Sequence, residues 1–108
     1  MNYFITGIGT DVGKSIASAV VVEALEADYW KPIQAGDLDN SDKMKIQNLV
    51  SNSTSVFHPE RHKLQTPASP HLAAKIDGVD IHIDDFELPK TNSHLIIEGA
   101  GGILVPIN

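Results

Sequence analysis

The sequence contains no cysteine, which removes disulfide frameworks, thiolate metal sites and cysteine nucleophiles from consideration. Basic residues are also scarce, with eight Lys and Arg against fourteen Asp and Glu and a formal charge of −6. A protein whose main task is to grip a nucleic-acid backbone needs clustered cations, so that class is disfavoured and no nucleic-acid partner is expected. A phosphate site, which uses a few local donors and a metal ion, is not disfavoured. Every apolar run is too short to span a bilayer, so no membrane partner is expected either. No basic segment precedes an apolar core at the N-terminus, as a signal peptide would require, and a cytoplasmic location is the default expectation. Internal repeats, low-complexity tracts and linkers are missing too. At 108 residues, 42% hydrophobic and 20% charged, the composition fits one soluble domain over 1–108.

What is present alternates between strand and helix signals. Residues 2–7 are β-prone and stop at Gly7, which predicts a buried strand. From Lys14 to Ala27 the chain has no Pro or Gly, and Ile16, Ala17, Val20, Val21, Ala24 and Leu25 supply a wide apolar side for packing on a sheet. Tyr29 to Ile33 reads as a second strand that Pro32 ends or confines to a sheet margin. Asn40 or Ser41 can cap a helix running to about Val50, and Ser51 to Pro67 reads as loop with one short strand near Val56-Phe57. Ser69-Pro70 starts a third helix and Gly78 stops it, while His94 to Glu98 forms the last strand.

The chemistry is concentrated after the first strand. Gly7-Ile8-Gly9-Thr10-Asp11-Val12-Gly13-Lys14-Ser15 has the glycines that let a backbone curl its N–H groups around an anion. Lys14 supplies a mobile charge for outer phosphates, and the Ser15 hydroxyl can coordinate Mg²⁺. The common form of this loop has its first glycine at the position of Ile8; Gly7 makes the loop one residue longer. The predicted fold class is α/β, a P-loop NTPase-type, mostly parallel sheet flanked by helices. Ile103 to Ile107 follows the last strand with no helix between, so the sheet is expected to be incomplete at the C-terminus and to belong to a longer parent.

Open parallel sheets place ligands at the carboxyl ends of their strands. Glu98 ends a hydrophobic strand there, where packing gives no reason for an exposed carboxylate, and it is a candidate Mg²⁺ ligand. Asp42 reads equally as part of a helix start or as a metal ligand, and Lys31, past the second strand, as a solvated cation or a charge facing the crevice. Gly99-Ala100-Gly101-Gly102 is a backbone-exposing turn, and His71 sits in a first helical turn. His58 and His62 are four apart, but Pro59 lies between them in a loop, which argues against a zinc-binding helix. Asp84-Asp85 reads as a turn or helix cap.

Taken in order, these motifs resemble the dethiobiotin synthetase family of the biotin pathway. The resemblance is carried by Tyr3 to Gly7 with Thr10 to Ser15, Lys31-Pro32-Ile33-Gln34-Ala35-Gly36, Asn40-Ser41-Asp42, Ser69-Pro70-His71 and Ile97 to Gly102. It implies an ATP- and Mg²⁺-dependent ligase that takes 7,8-diaminononanoate and CO₂ through a carbamate and a carbamic-phosphoric anhydride to a cyclic urea. Carried over by position, Asp11, Val12, Gly13, Lys14, Ser15 and Ile16 wrap the nucleotide phosphates, aided by Asp42, Glu98, Gly99, Ala100 and Gly101. Ser15, Asp42 and Glu98 hold Mg²⁺. Lys14, Lys31 and Thr10 are the implied catalytic residues, and Thr10, Lys31, Ala35 and Gly101 the implied contacts to the diamine. The family usually has Ser or Thr at the position of Ala35, whose side chain has no hydroxyl for a hydrogen bond there. Family chains are longer and pair as homodimers, and the further part carries adenine recognition.

Rival readings are a partitioning-type ATPase, an amidating enzyme of the same loop class, a nucleotide-binding module without turnover, or an inactive fragment. Partitioning ATPases carry an extra Lys early in the loop, and Gly7-Ile8-Gly9 has none. A module without turnover would be expected to lack the acids or the second lysine, yet Lys31, Asp42 and Glu98 are all present.

Overall fold

The computed structural model of the protein describes residues 2–5, 13–67 and 70–99, and at 13–15, 71 and 83 the backbone alone. The β-prone opening forms β1 (Asn2–Ile5), but Asn2, Tyr3 and Phe4 are exposed, which corrects the expectation of a buried strand, and the glycine-free stretch after the loop forms α1 (Gly13–Leu25). Glu26 takes the left-handed conformation (φ 47°), and Ala27 N–H bonds back to Val22 O at 3.0 Å, closing the helix two residues before the predicted end. No glycine announces that stop, which is why the sequence pattern overran it.

The predicted strand from Tyr29 to Ile33 is two strands. β2 (Asp28–Trp30) ends at Lys31, Pro32 breaks the ladder, and β3 (Ile33–Ala35) resumes in a different sheet. A short 3₁₀ turn, Leu38–Asn40, leads to α2 (Asp42–Leu49). Beyond it, Phe57 makes only an isolated parallel bridge to Tyr29, and the strand of this region is β4 (His62–Leu64). α3 (Pro70–Asp77) starts and stops as predicted, with Gly78 left-handed at φ 71° and Val79 N–H on Ala74 O at 2.9 Å. The Asp84-Asp85 pair lies in a 3₁₀ turn, Ile83–Asp85, and β5 (Leu95–Glu98) closes the order.

All pairings between these strands are parallel. One sheet has the order β1-β5-β2 and the other pairs β3 with β4. Register places Ile5 opposite Glu98 and Trp30 opposite Ile97, so the three strands finish at one edge, which the α1 N-terminus follows in the chain.

Each sheet has its own core. Ala19, Val22, Ala27, Tyr29, Ile46 and Ile96 join α1, α2 and the three-stranded sheet, while Ile33, Leu64, Ala73, Ala74 and Ile81 join α3 to β3 and β4. The apolar side expected for α1 is corrected. Buried Ser18, Ala19 and Val22 face the core, and of the expected side only Val21 packs partly against it, whereas Ile16, Val20 and Leu25 are exposed and so are Ala17 and Ala24. The helix is apolar almost all round, so periodicity could not choose a side, and the stripe containing Ser18 and Ala19 permits the closer approach.

Candidate functional site

Lys31 is the first residue past β2, and its direction is fixed from both flanks. Trp30 Nε1 donates to Pro59 O at 3.1 Å, and Pro32 O accepts from Arg61 N–H and His62 N–H at 2.8 and 3.0 Å. The side chain is 7% exposed and its ammonium donates to Asp42 Oδ2. A buried ammonium requires such a partner. The solvated reading of Lys31 is therefore overturned.

Asp42 is brought there by the start of α2. Ser41, itself buried, is the N-cap, with its Oγ accepting from Met44 N–H at 3.3 Å. Asp42 is thereby freed from capping and occupies the first helical position. Gln34 on β3 steadies it: Oε1 accepts from Asp42 N–H at 3.2 Å while Nε2 donates to Gly36 O at 3.0 Å. Lys45 lies 3.9 Å from the other Asp42 oxygen.

Glu98 ends β5 on the same sheet edge. The expectation of an exposed carboxylate is wrong, because Glu98 is fully buried. Burial of a carboxylate demands hydrogen bonds, and one comes from the Tyr29 hydroxyl, which donates to Glu98 Oε2. Burial first, and then the adjacent Glu98 carboxylate, hold the Tyr29 phenol far above its ordinary range, with Asp42 and Glu60 adding to the effect. Tyr29 is therefore a permanent donor, and three carboxylates lie within electrostatic reach of its hydroxyl. Glu60, whose side chain is 2% exposed, pairs with Lys43 at 3.1 Å, next to Asp42 on α2.

Of the remaining predicted positions, Gly13, Lys14 and Ser15 form the first turn of α1, whose side chains are outside the described residues, as are Thr10, Asp11, Val12, Ala100 and Gly101 altogether. Ile16 is exposed, Ala35 is half-buried at the end of β3, and Gly99 N–H bonds to Ile5 O at 3.1 Å, tying the turn after β5 to the end of β1. His58 and His62 are separated by function as well as by Pro59: His58 pairs with Asp28 and His62 with Asp85, each at 3.0 Å. Sequence reasoning missed Tyr29, Glu60 and the supporting role of Gln34. Only for Gln34 was there a signal, its place in the Lys31 to Gly36 stretch; Tyr29 and Glu98 are 69 residues apart.

A family model described as an AAA domain matches residues 1–108. The ATP-dependent dethiobiotin synthetase of Christiangramia forsetii is 60% identical over 107 residues, covering 99% of this chain and 52% of that protein. The proteins of the same description from Cytophaga hutchinsonii and Rhodopseudomonas palustris are 51% identical over 107 residues and 48% over 103, with 52% and 49% of their lengths covered. The resemblance read from the motifs is thus borne out, and the chain spans about half the length of these relatives. Matched along its whole length by that family model, the chain belongs to the AAA-domain family, and ATP-dependent dethiobiotin synthetases are among its relatives.

Proposed function

We propose that the full-length protein is an ATP-dependent dethiobiotin synthetase, a cytoplasmic, homodimeric ligase that closes 7,8-diaminononanoate and CO₂ into the cyclic urea of dethiobiotin. The observation that carries this reading is Lys31, buried against Asp42 at the strand edge where Glu98 also ends. In the reaction one amine adds to CO₂ as a carbamate, the carbamate oxygen takes the γ-phosphoryl group of ATP, and the second amine displaces phosphate. Both phosphoryl transfer and ring closure move negative charge across a confined space, and fixed cations lower that barrier without covalent chemistry. Lys31 is fixed by the Trp30 and Pro32 contacts, so it serves as such a cation, with Lys14 as its counterpart from the loop. Asp11 to Ile16 wrap the phosphates, Thr10 and Gly101 face the diamine, and Gly99 with Ala100 lines the nucleotide side. Ala35 offers a methyl group where a hydroxyl would be expected, so substrate contact there is steric.

Mg²⁺ takes oxygen ligands and keeps several from water and phosphate rather than from a protein cage. Among the described residues, no three His, Cys, Asp or Glu side chains converge as a metal site. Glu98 nevertheless offers a buried carboxylate at the end of β5, Asp42 offers one at the start of α2 beside Lys31, and Ser15 adds a hydroxyl by position. That all-oxygen donor set fits Mg²⁺, which would neutralise charge on the β- and γ-phosphates.

The test is to incubate the full-length protein with diaminononanoate, bicarbonate, Mg²⁺ and ATP and to assay dethiobiotin by mass spectrometry. Product formed only with all four supports the reading. ATP hydrolysis that ignores the diamine, with no dethiobiotin, overturns it in favour of another ATPase of the same loop class.

A further inference from the structure

The Tyr29 ring and its hydroxyl serve two surroundings. The ring is fully buried in the core shared by α1, α2 and the three-stranded sheet, with the Phe57 ring centroid 6.0 Å away. Tyr29 stands opposite Ile96 in the parallel register, and Glu98 lies two residues beyond Ile96, hence on the same side of the sheet. The phenol therefore runs from the hydrophobic core up to the Glu98 carboxylate, where it donates to Oε2. A phenylalanine would fill the same core, so packing does not explain the hydroxyl.

A hydrogen bond to one oxygen of a carboxylate limits rotation of its plane and so sets where the second oxygen points. Partners of this kind behind a metal ligand change metal affinity when removed, typically by 10- to 100-fold. We propose that Tyr29 is a positioning residue which orients Glu98 toward the divalent cation of the nucleotide complex; this rests on the reading of Glu98 as a metal ligand. Tyr29 itself touches neither cation nor substrate. Its rigidity comes from the core around the ring, so the metal edge of the site is tied to the packing of α1 and α2 on the sheet.

The test measures Mn²⁺ binding by electron paramagnetic resonance in the full-length protein with saturating ADP, alongside the Mg²⁺ requirement for turnover. Tyr29→Phe should weaken Mn²⁺ about 10-fold and raise the Mg²⁺ needed for half-maximal rate by a similar factor, with near-UV circular dichroism unchanged. Glu98→Gln should weaken Mn²⁺ at least as much, and Tyr29→Phe should add no further loss in that background. If Glu98→Gln weakens Mn²⁺ while Tyr29→Phe leaves it unchanged, the positioning role is overturned and the Glu98 ligand stands. If Glu98→Gln has no effect, the ligand reading falls and the proposal with it. Equal losses from Tyr29→Phe with and without Glu98 would also overturn it, because Tyr29 would then act elsewhere. Tyr29→Met, with a flexible apolar side chain, repeats the measurement if the Phe protein does not fold.

Discussion

Lys31 shows how much one residue's role depends on its neighbours. In the sequence it is a lysine after a short apolar stretch, and a strand-end lysine is ordinarily hydrated. In the structure Trp30 and Pro32 are both pinned to the 59–62 segment, and the buried side chain between them pairs with Asp42. Lys31→Met keeps much of the aliphatic stem and removes the charge. The catalytic rate of the full-length protein should fall about 10²- to 10³-fold, the range seen when one fixed electrostatic contact to a transition state is lost. Asp42 keeps Lys45 at 3.9 Å and is 22% exposed, so the loss should be in turnover far more than in the urea midpoint. Dethiobiotin formation within two-fold of the parent would remove Lys31 from the mechanism. The motif order in the sequence was enough to single out Lys31, Asp42 and Glu98. It could not show Tyr29 or Glu60, since what defines them is a carboxylate or cation brought near by the parallel sheet.

At the scale of elements, legibility followed local signals. α2 and α3 were readable because Ser41 and Pro70 mark starts and Gly78 marks a stop. The end of α1 was not, because Glu26 adopts a left-handed conformation that non-glycine residues enter at a cost of roughly 1 kcal/mol or more. The small sheet escaped notice for another reason: Ile33–Ala35 and His62–Leu64 are three residues each, and their pairing depends on long-range contacts that the local sequence does not signal. The cap of α2 links element to site. Ser41→Ala removes the acceptor of Met44 N–H and should cost about 1 kcal/mol. Because Asp42 is the next residue, fraying of that turn should also raise the Mg²⁺ concentration needed for turnover. Urea unfolding with a Mg²⁺ titration checks both, and Ser41→Asp, which restores an acceptor, should recover much of the stability. An unchanged midpoint in Ser41→Ala would mean that the cap contributes nothing here.

At the scale of the molecule, four carboxylates fasten the 51–66 region and its surroundings to regular elements. Glu23 on α1 accepts from Ser51 and Asn52, and Asp28 on β2 from Val56 and His58. Asp77 on α3 accepts from Gln65 and Thr66, and Asp85 from His82 and the His62 ring. All four have carboxyl pKa values held below their ordinary range. The Ser51 N–H is the leading cause for Glu23, the Thr66 hydroxyl for Asp77 and the His82 N–H for Asp85. For Asp28 the largest influence is burial, which acts upward, but hydrogen bonds from Thr91, Val56 and His58 together outweigh it. A carboxyl group with a lower pKa folded than unfolded takes up protons on unfolding. Its stabilisation is complete above the unfolded value, 3.8 for Asp and 4.5 for Glu, and is lost as pH falls through the folded value. The urea midpoint should therefore decline from about pH 5 downward. The triple variant Asp28→Asn, Asp77→Asn, Asp85→Asn isolates this contribution. It should be less stable than the parent at neutral pH and should converge on it as the pH drops, because protonation then does to the parent what the substitutions did already. Parallel acid limbs, with a constant gap between the two proteins, would show that these carboxylates do not hold the loops through their charge.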